Sequence, residues 1–262
     1  MTLFYREVGS SGPAVLILHG LFGMSDNWLS FARRLEKDYH LFLLDLRNHG
    51  RSPHSAEMNY GVMAGDVSAF IRETIGTACS VVGHSMGGKV AMQLALEQPQ
   101  LINTLVSVDI APKRYRTSQF HDFLTVMMGM DLTTLNSRGQ ADDILKEKLN
   151  LPLATRQFLL KNIYRNDQNR FQWRANLSAL FTNLETLLDE PGTAGGFDKP
   201  ALFARGSASP YIKDDDIPRI RALFPRAEIR DIPGANHWVH ASAPAALEAA
   251  LRDFWQKAKC GN

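Results

Sequence analysis

Cysteine is scarce in this chain: 262 residues hold two, Cys79 and Cys260, far apart and without a Cys-x-x-Cys spacing. That scarcity argues against a disulfide framework and against a cysteine zinc site. A distant pair of thiols is ordinary in a reducing cytoplasm. An excess of one charge is also missing. The 29 basic and 27 acidic side chains leave a formal charge of +2, without the basic stripe or arm of a general nucleic-acid binder. No apolar run approaches the ~18 residues of a membrane span. The start, Met-Thr-Leu-Phe-Tyr-Arg-Glu, is charged by its sixth residue, which does not suit the apolar core of a signal peptide. Neither a Gly-x-Gly-x-x-Gly nor a Walker pattern is present, so phosphate binding has little support. These absences lead us to expect a soluble, cytoplasmic, globular protein with neither nucleic acid nor membrane as partner. The sequence carries no signal for oligomeric state.

What is present is an alternation. The runs at 14–18, 39–44, 80–82 and 105–108 are apolar throughout and stop at His19-Gly20, Asp45, Gly83 and Asp109. Continuous apolar runs suit strands covered on both faces, as in a parallel sheet. Helix-period segments at 27–37, 62–75 and 86–97 lie between them. Strand and helix in turn are the signature of an α/β, doubly wound sheet. From 113 to 190 the pattern changes to helices expected at 119–130, 141–149, 154–164 and 173–188, with no convincing strand. The alternation resumes with strands at 201–204 and 227–232 and helices at 217–224 and 243–259. We therefore expect a core of 1–112 and 191–262 and a helical cap, or lid, at 113–190. The Gly-rich run at 191–196 closes the insertion and could act as a hinge.

In a parallel sheet, sites gather beyond the C-terminal strand ends. One such end reads Gly-His-Ser-Met-Gly at 83–87, a Gly-x-Ser-x-Gly between an apolar strand and a helix, as a nucleophile elbow requires. Ser85 is the candidate nucleophile; a capping serine in a plain strand-to-helix turn is the bland alternative. Serine needs a base and an orienting acid, and His237 stands where the base belongs, on the loop before the last helix. His240 is its one serious rival. His19 is expected to brace a loop, His49 to be structural, and His84 to shape the pocket beside the nucleophile. His40, His54 and His121 have no motif around them. Asp109, at the end of the strand next after the elbow, is the leading acid. The run Asp214-Asp215-Asp216 competes, although it looks like the first turn of a helix, and a dyad in which Ser209 helps to hold the histidine stays open. An oxyanion hole needs two backbone N–H groups: Met86 for one, and Leu21 or Phe22 in the loop His19-Gly20-Leu21-Phe22-Gly23 for the other.

Together these segments resemble the α/β-hydrolase family. The carriers are His-Gly-Leu-Phe-Gly (19–23) with Asp26-Asn27-Trp28, Asp45-x-Arg47-Asn48-His49-Gly50-x-Ser52-Pro53, Gly-His-Ser-Met-Gly-Gly-Lys (83–89) and Val-Asp-Ile-Ala-Pro (108–112). More narrowly they are similar to the bacterial YbfF-type esterases, over nearly the whole chain and least in the insertion. The resemblance implies a serine carboxylesterase with some thioesterase activity on acyl-CoA. It also implies that the acid follows the sixth strand, which supports Asp109, and a Ser209 hydrogen bond to the catalytic histidine; the helical cap is expected after that sixth strand. Dehalogenase and epoxide-hydrolase chemistry is disfavoured, since those members place a carboxylate where Ser85 stands.

The sequence thus reads as a Ser85–His237–Asp109 esterase acting on small or medium acyl esters or thioesters through an acyl-enzyme, with no cofactor and no metal. Phe120, Phe123, Met127, Met128 and Met130 lie on one expected cap helix. Packing of the cap is their plain reading; an adaptable acyl pocket is the functional one, with Phe123, Met127 and Trp238 as its candidates. C–C bond hydrolysis, acyl transfer or slow-turnover ligand reception on the same residues are the rival functions.

Overall fold

The computed structural model describes residues 1–192 and 195–260. The strands in chain order are β1 (Tyr5–Val8), β2 (Ala14–Leu18), β3 (His40–Leu44), β4 (Cys79–His84), β5 (Ile102–Val108), β6 (Ile163–Arg165), β7 (Phe171–Trp173), β8 (Ala201–Gly206) and β9 (Ala227–Ile232). Seven of them form one sheet in the order β1-β3-β2-β4-β5-β8-β9. Only the β1–β3 pairing is antiparallel; every other neighbour in this sheet is parallel. The helices of its flanks are α1 (Leu29–Ala32), α2 (Tyr60–Phe70) and α3 (Met86–Glu97).

The continuous apolar runs are buried on both faces because alternate side chains enter different cores. Val15 and Ile17 of β2 pack with Val82, Val106, Leu247 and Trp255, while Leu16 and Leu18 pack with Val81, Leu105, Val90 and Leu94. Strand ends are in register where it matters: Leu18 pairs with Gly83, His84 with Val108, and Val108 with Ala204. The residues just past β4 and β5 therefore emerge side by side at one edge.

Residues 113–190 lie between β5 and β8 and carry α4 (Gln119–Met128), α5 (Arg138–Leu149), α6 (Leu153–Leu160), α7 (Leu177–Thr182) and α8 (Leu184–Leu188). The insertion follows the fifth strand in the chain and not the sixth as expected, because only β1 to β5 precede it. The insertion is not wholly helical: β6 and β7 pair as a short antiparallel ribbon, so the expected helices at 154–164 and 173–188 are each shortened by a strand. Ile163 and Phe171 are buried and Tyr164 faces Gln172 across the ribbon, an alternation too short to read as period two. The expected helix at 27–37 is the four-residue α1 with turns on both sides, and the edge strand β1 was not foreseen. After β8 come α9 (Ile217–Leu223), α10 (Val239–Ser242) and α11 (Pro244–Cys260). The expected hinge at 191–196 contains Thr193 and Ala194, which lie outside the described residues. Among the described residues no helix is long and apolar enough to cross a membrane.

Candidate active site

Ser85 occupies the turn from β4 into α3 with φ 52° and ψ −121°, a left-handed conformation that costs a non-glycine residue on the order of 1–2 kcal/mol. The turn is tight enough to demand glycine on each side. A Cβ at Gly83 would stand 2.2 Å from the Gly87 carbonyl oxygen, and one at Gly87 2.5 Å from the Leu18 and His19 carbonyl oxygens. The serine spacing of the motif is thus dictated by backbone-on-backbone contact.

His237 accepts from the Ser85 hydroxyl at Nε2 (3.1 Å) and donates from Nδ1 to Asp109 Oδ2 (2.8 Å). Asp109 is fully buried and is itself held at positive φ, 55°. Its Oδ1 accepts the Gly206 N–H at 2.9 Å, and its Oδ2 also accepts the Ser209 hydroxyl. Three donors thus surround the buried carboxylate. Ser209 therefore meets the carboxylate, where the resemblance implied a bond to the histidine. The reason is geometric: both ring nitrogens of His237 are already engaged. The run Asp214–Asp216 lies elsewhere, as a 3-10 turn in which Asp214 pairs with Arg205 and Asp216 with Lys113.

Four buried histidines frame this centre. His84 donates from Nε2 to the His237 backbone carbonyl at 2.8 Å, which fixes the loop carrying that residue. His19 donates to the Gly20 carbonyl and accepts the Leu46 N–H. His49 donates to the Arg47 carbonyl and accepts the Phe22 N–H at 3.2 Å. Burial pushes His19 down to about 4 and His49 to about 3, the latter helped by the neighbouring His19, and pushes His84 well below the usual range. His240, stacked on Trp28 at 4.1 Å, is likewise pushed by burial to about 3. A ring that stays neutral inside a stack, while His237 takes the hydrogen bond to Ser85, is not placed as the base.

The bond between Phe22 and His49 bears on the oxyanion hole. The Phe22 amide is occupied, whereas the Leu21 and Met86 amides have no protein acceptor among the described residues. Phe22, at φ 61°, instead puts its ring in the core against Phe120 and Phe123, and its carbonyl accepts from Asn162.

Two cavities meet at Ser85 and share Leu21, Gln119, Phe120 and Tyr211 in their walls. The first, about 290 Å³, runs past Met86, Ile110 and Leu187. The second, about 280 Å³, is lined by His237, His84, Trp238, Phe123 and Phe158. Phe123, Trp238 and His84 therefore face the second cavity as pocket candidates, but Met127 does not line either one. It is buried with Met130 in the main core, and Met128 points to solvent. Four residues beyond Phe123, Met127 is displaced by about 6 Å along the helix axis, which takes it from the cavity wall into the packing of the insertion. The expectation of a methionine-rich acyl pocket is corrected accordingly.

Two residues of this site were not singled out from sequence. Tyr211 stacks on His237, and Lys89 lines the first cavity although its side chain is 2% exposed. Lys89 donates to the carbonyls of Leu188 (3.1 Å) and Asp189 (2.5 Å), between the rings of Tyr60 and Tyr115. Burial pushes its ammonium down to about 7, against the pull of Asp189 and Glu190. Its signal was a single charge among the buried residues of α3 from Met86 to Leu96.

A Ser–His–Asp chain of contacts beyond the C-terminal ends of a mostly parallel sheet is the arrangement that serine hydrolases of the α/β-hydrolase class use. The family model described as alpha/beta hydrolase fold matches residues 13–244, and the chain belongs to that family. Among its relatives, the sn-1-specific diacylglycerol lipase ABHD11 of Danio rerio is 39% identical over 256 residues, covering 95% of this chain and 80% of the lipase. Esterase YbfF of Escherichia coli is 34% identical over 245 residues, covering 94% of this chain and 93% of the esterase. A solved structure described as a marine microorganism esterase superposes with a TM-score of 0.93 at 36% identity, covering 96% of this chain and 98% of that one. This protein is an enzyme of the same serine-hydrolase type.

Proposed function

We propose that the protein is an esterase that hydrolyses small to medium acyl esters, thioesters included, through an acyl-enzyme on Ser85. In this reading His237 takes the Ser85 proton as the oxygen attacks the ester carbonyl. The Leu21 and Met86 amides receive the developing oxyanion, worth about 3–4 kcal/mol per donor in comparable sites. His237 then hands the proton to the departing alcohol, and Asp109 steadies the imidazolium throughout. Water, deprotonated by the same histidine, releases the acid. Residues 113–190 act as the cap over the core of 1–112 and 191–262. Together they enclose the two cavities, with Phe120 from one and Ser85 from the other.

The observation that carries the reading is the unbroken chain of contacts from Ser85 Oγ through His237 to the buried Asp109. The relatives, by name a diacylglycerol lipase and two esterases, support an acyl ester as substrate class. The test is a series of p-nitrophenyl and CoA esters from acetyl to palmitoyl on wild type and Ser85→Ala. Saturable turnover that Ser85→Ala abolishes is expected. Equal activity of the two proteins would refute it.

A further inference from the structure

The two cavities at Ser85 are chemically unequal, and the reaction direction assigns them. The histidine that protonates the leaving alcohol must stand on the leaving-group side, and His237 lines the second cavity but not the first. Resting on the esterase reading above, the alcohol portion therefore departs through the second cavity, and the acyl portion lies in the first. The first cavity is apolar near the nucleophile, with Leu21, Ile110 and Phe120, and carries two cations, Lys89 and Arg116, in its wall. Among the described residues no carboxylate lines it, and Arg116 has no ion-pair partner.

Lys89 stands four residues after Ser85, one helical turn or about 6 Å along α3. Two of its three N–H donors reach carbonyls where α8 ends, and the third has no acceptor among the described residues. Burying an ammonium on carbonyls and ring faces, with the Asp189 and Glu190 carboxylates acting on it but not hydrogen-bonded to it, costs free energy that an arriving anion recovers. Neutral acyl chains give no such return. We propose that this first cavity selects acyl groups ending in a carboxylate, the half-esters of short dicarboxylic acids, and that Lys89, with Arg116 elsewhere in the same wall, is the specificity-determining cation. A bound carboxylate would also hold the ammonium protonated, opposing the effect of burial.

The test compares monoethyl succinate, glutarate and adipate with ethyl esters of unbranched monocarboxylic acids of matched length, following ethanol release by NMR. At the best length, wild type should favour the half-ester by about tenfold in kcat/KM, the scale of one charged hydrogen bond. That ratio should fall to one or below in Lys89→Met, shrink in Arg116→Gln and be retained in Lys89→Arg. Being a ratio within one preparation, it is insensitive to the fraction folded. Ser85-dependent turnover of the neutral esters with no half-ester preference in wild type would overturn the proposal and leave the esterase reading standing. A preference that survives Lys89→Met would also overturn it. So would one that appears only when the carboxylate is moved to the alcohol portion. Turnover of neither series would remove the esterase reading and this proposal together.

Discussion

The Tyr211 ring lies flat on the imidazole of His237, with centroids 3.7 Å apart and planes 14° from parallel. Tyr211 is anchored in turn, since its carbonyl accepts the Tyr115 hydroxyl at 2.8 Å. The proposed base is thus fixed on its face by a stack, on one edge by Asp109, and at its backbone by His84. A face contact of this kind contributes about 0.5–1.5 kcal/mol. Tyr211→Ala should therefore lower kcat by about tenfold, while Tyr211→Phe, which keeps the ring, stays within about threefold of wild type. Steady-state kinetics on one ester decides it. A Phe variant as impaired as the Ala variant would mean that the hydroxyl, not the stack, is what matters.

Asp109 and Ser209 differ in what their loss should do. Asp109→Asn presents the wrong donor to Nδ1 and should lower kcat by about 10⁴-fold. Ser209→Ala removes one of the bonds that Asp109 accepts and should cost about tenfold, with KM little changed. Asp214→Asn, on the exposed turn, should leave kcat near wild type. If Asp109→Asn loses less than tenfold while Asp214→Asn is inactive, the acid has been misassigned.

The parts of this site legible in the sequence were those set by local backbone geometry. Gly83, Ser85 and Gly87 are legible because a tight turn between a strand and a helix admits few residue types. Asp109 and His237 are legible because strand ends in a parallel sheet converge. Packing between distant segments was not. Ser209 reaches Asp109 and not His237 because of where both loops end in space, and no spacing in the chain encodes that. Met127 shares a helix face with Phe123, yet only the docking of α4 decides which of them meets the cavity. The ribbon of β6 and β7 has three residues a strand, below the length at which alternation can be recognised.

Gly87 gives a stability test of the elbow. A methyl there would fall 2.5 Å from two carbonyl oxygens of the β2 end, Leu18 and His19, and backbone cannot yield as a flexible side chain does. Gly87→Ala should destabilise the fold by about 2 kcal/mol or more in urea unfolding. A variant as stable as wild type would show that the turn is looser than this packing.

The buried histidines set an acid limit. His19, His49 and His240 are pushed by burial to about 4, 3 and 3, below the ~6.5 of an exposed histidine. Between those values the unfolded chain binds protons that the folded chain refuses, so stability rises with pH through that window and is lost as pH falls from about 6.5. By pH 5 each contributes a loss of up to about 2 kcal/mol, less where neighbouring rings are coupled. Melting temperature should fall steeply from pH 7 to pH 5. His240→Phe, which keeps the stack on Trp28 and removes one titrating ring, should fall less. Parallel curves for the two proteins would contradict the burial account.

Whether Ser85 carries the acyl group during turnover is decided by rapid acid quench of wild type with a p-nitrophenyl ester, followed by peptide mass spectrometry. One acyl group per chain on the peptide containing Ser85 is predicted, with no adduct in Ser85→Ala. Turnover without any acylated Ser85, or an acyl group found on another residue in both proteins, would contradict it.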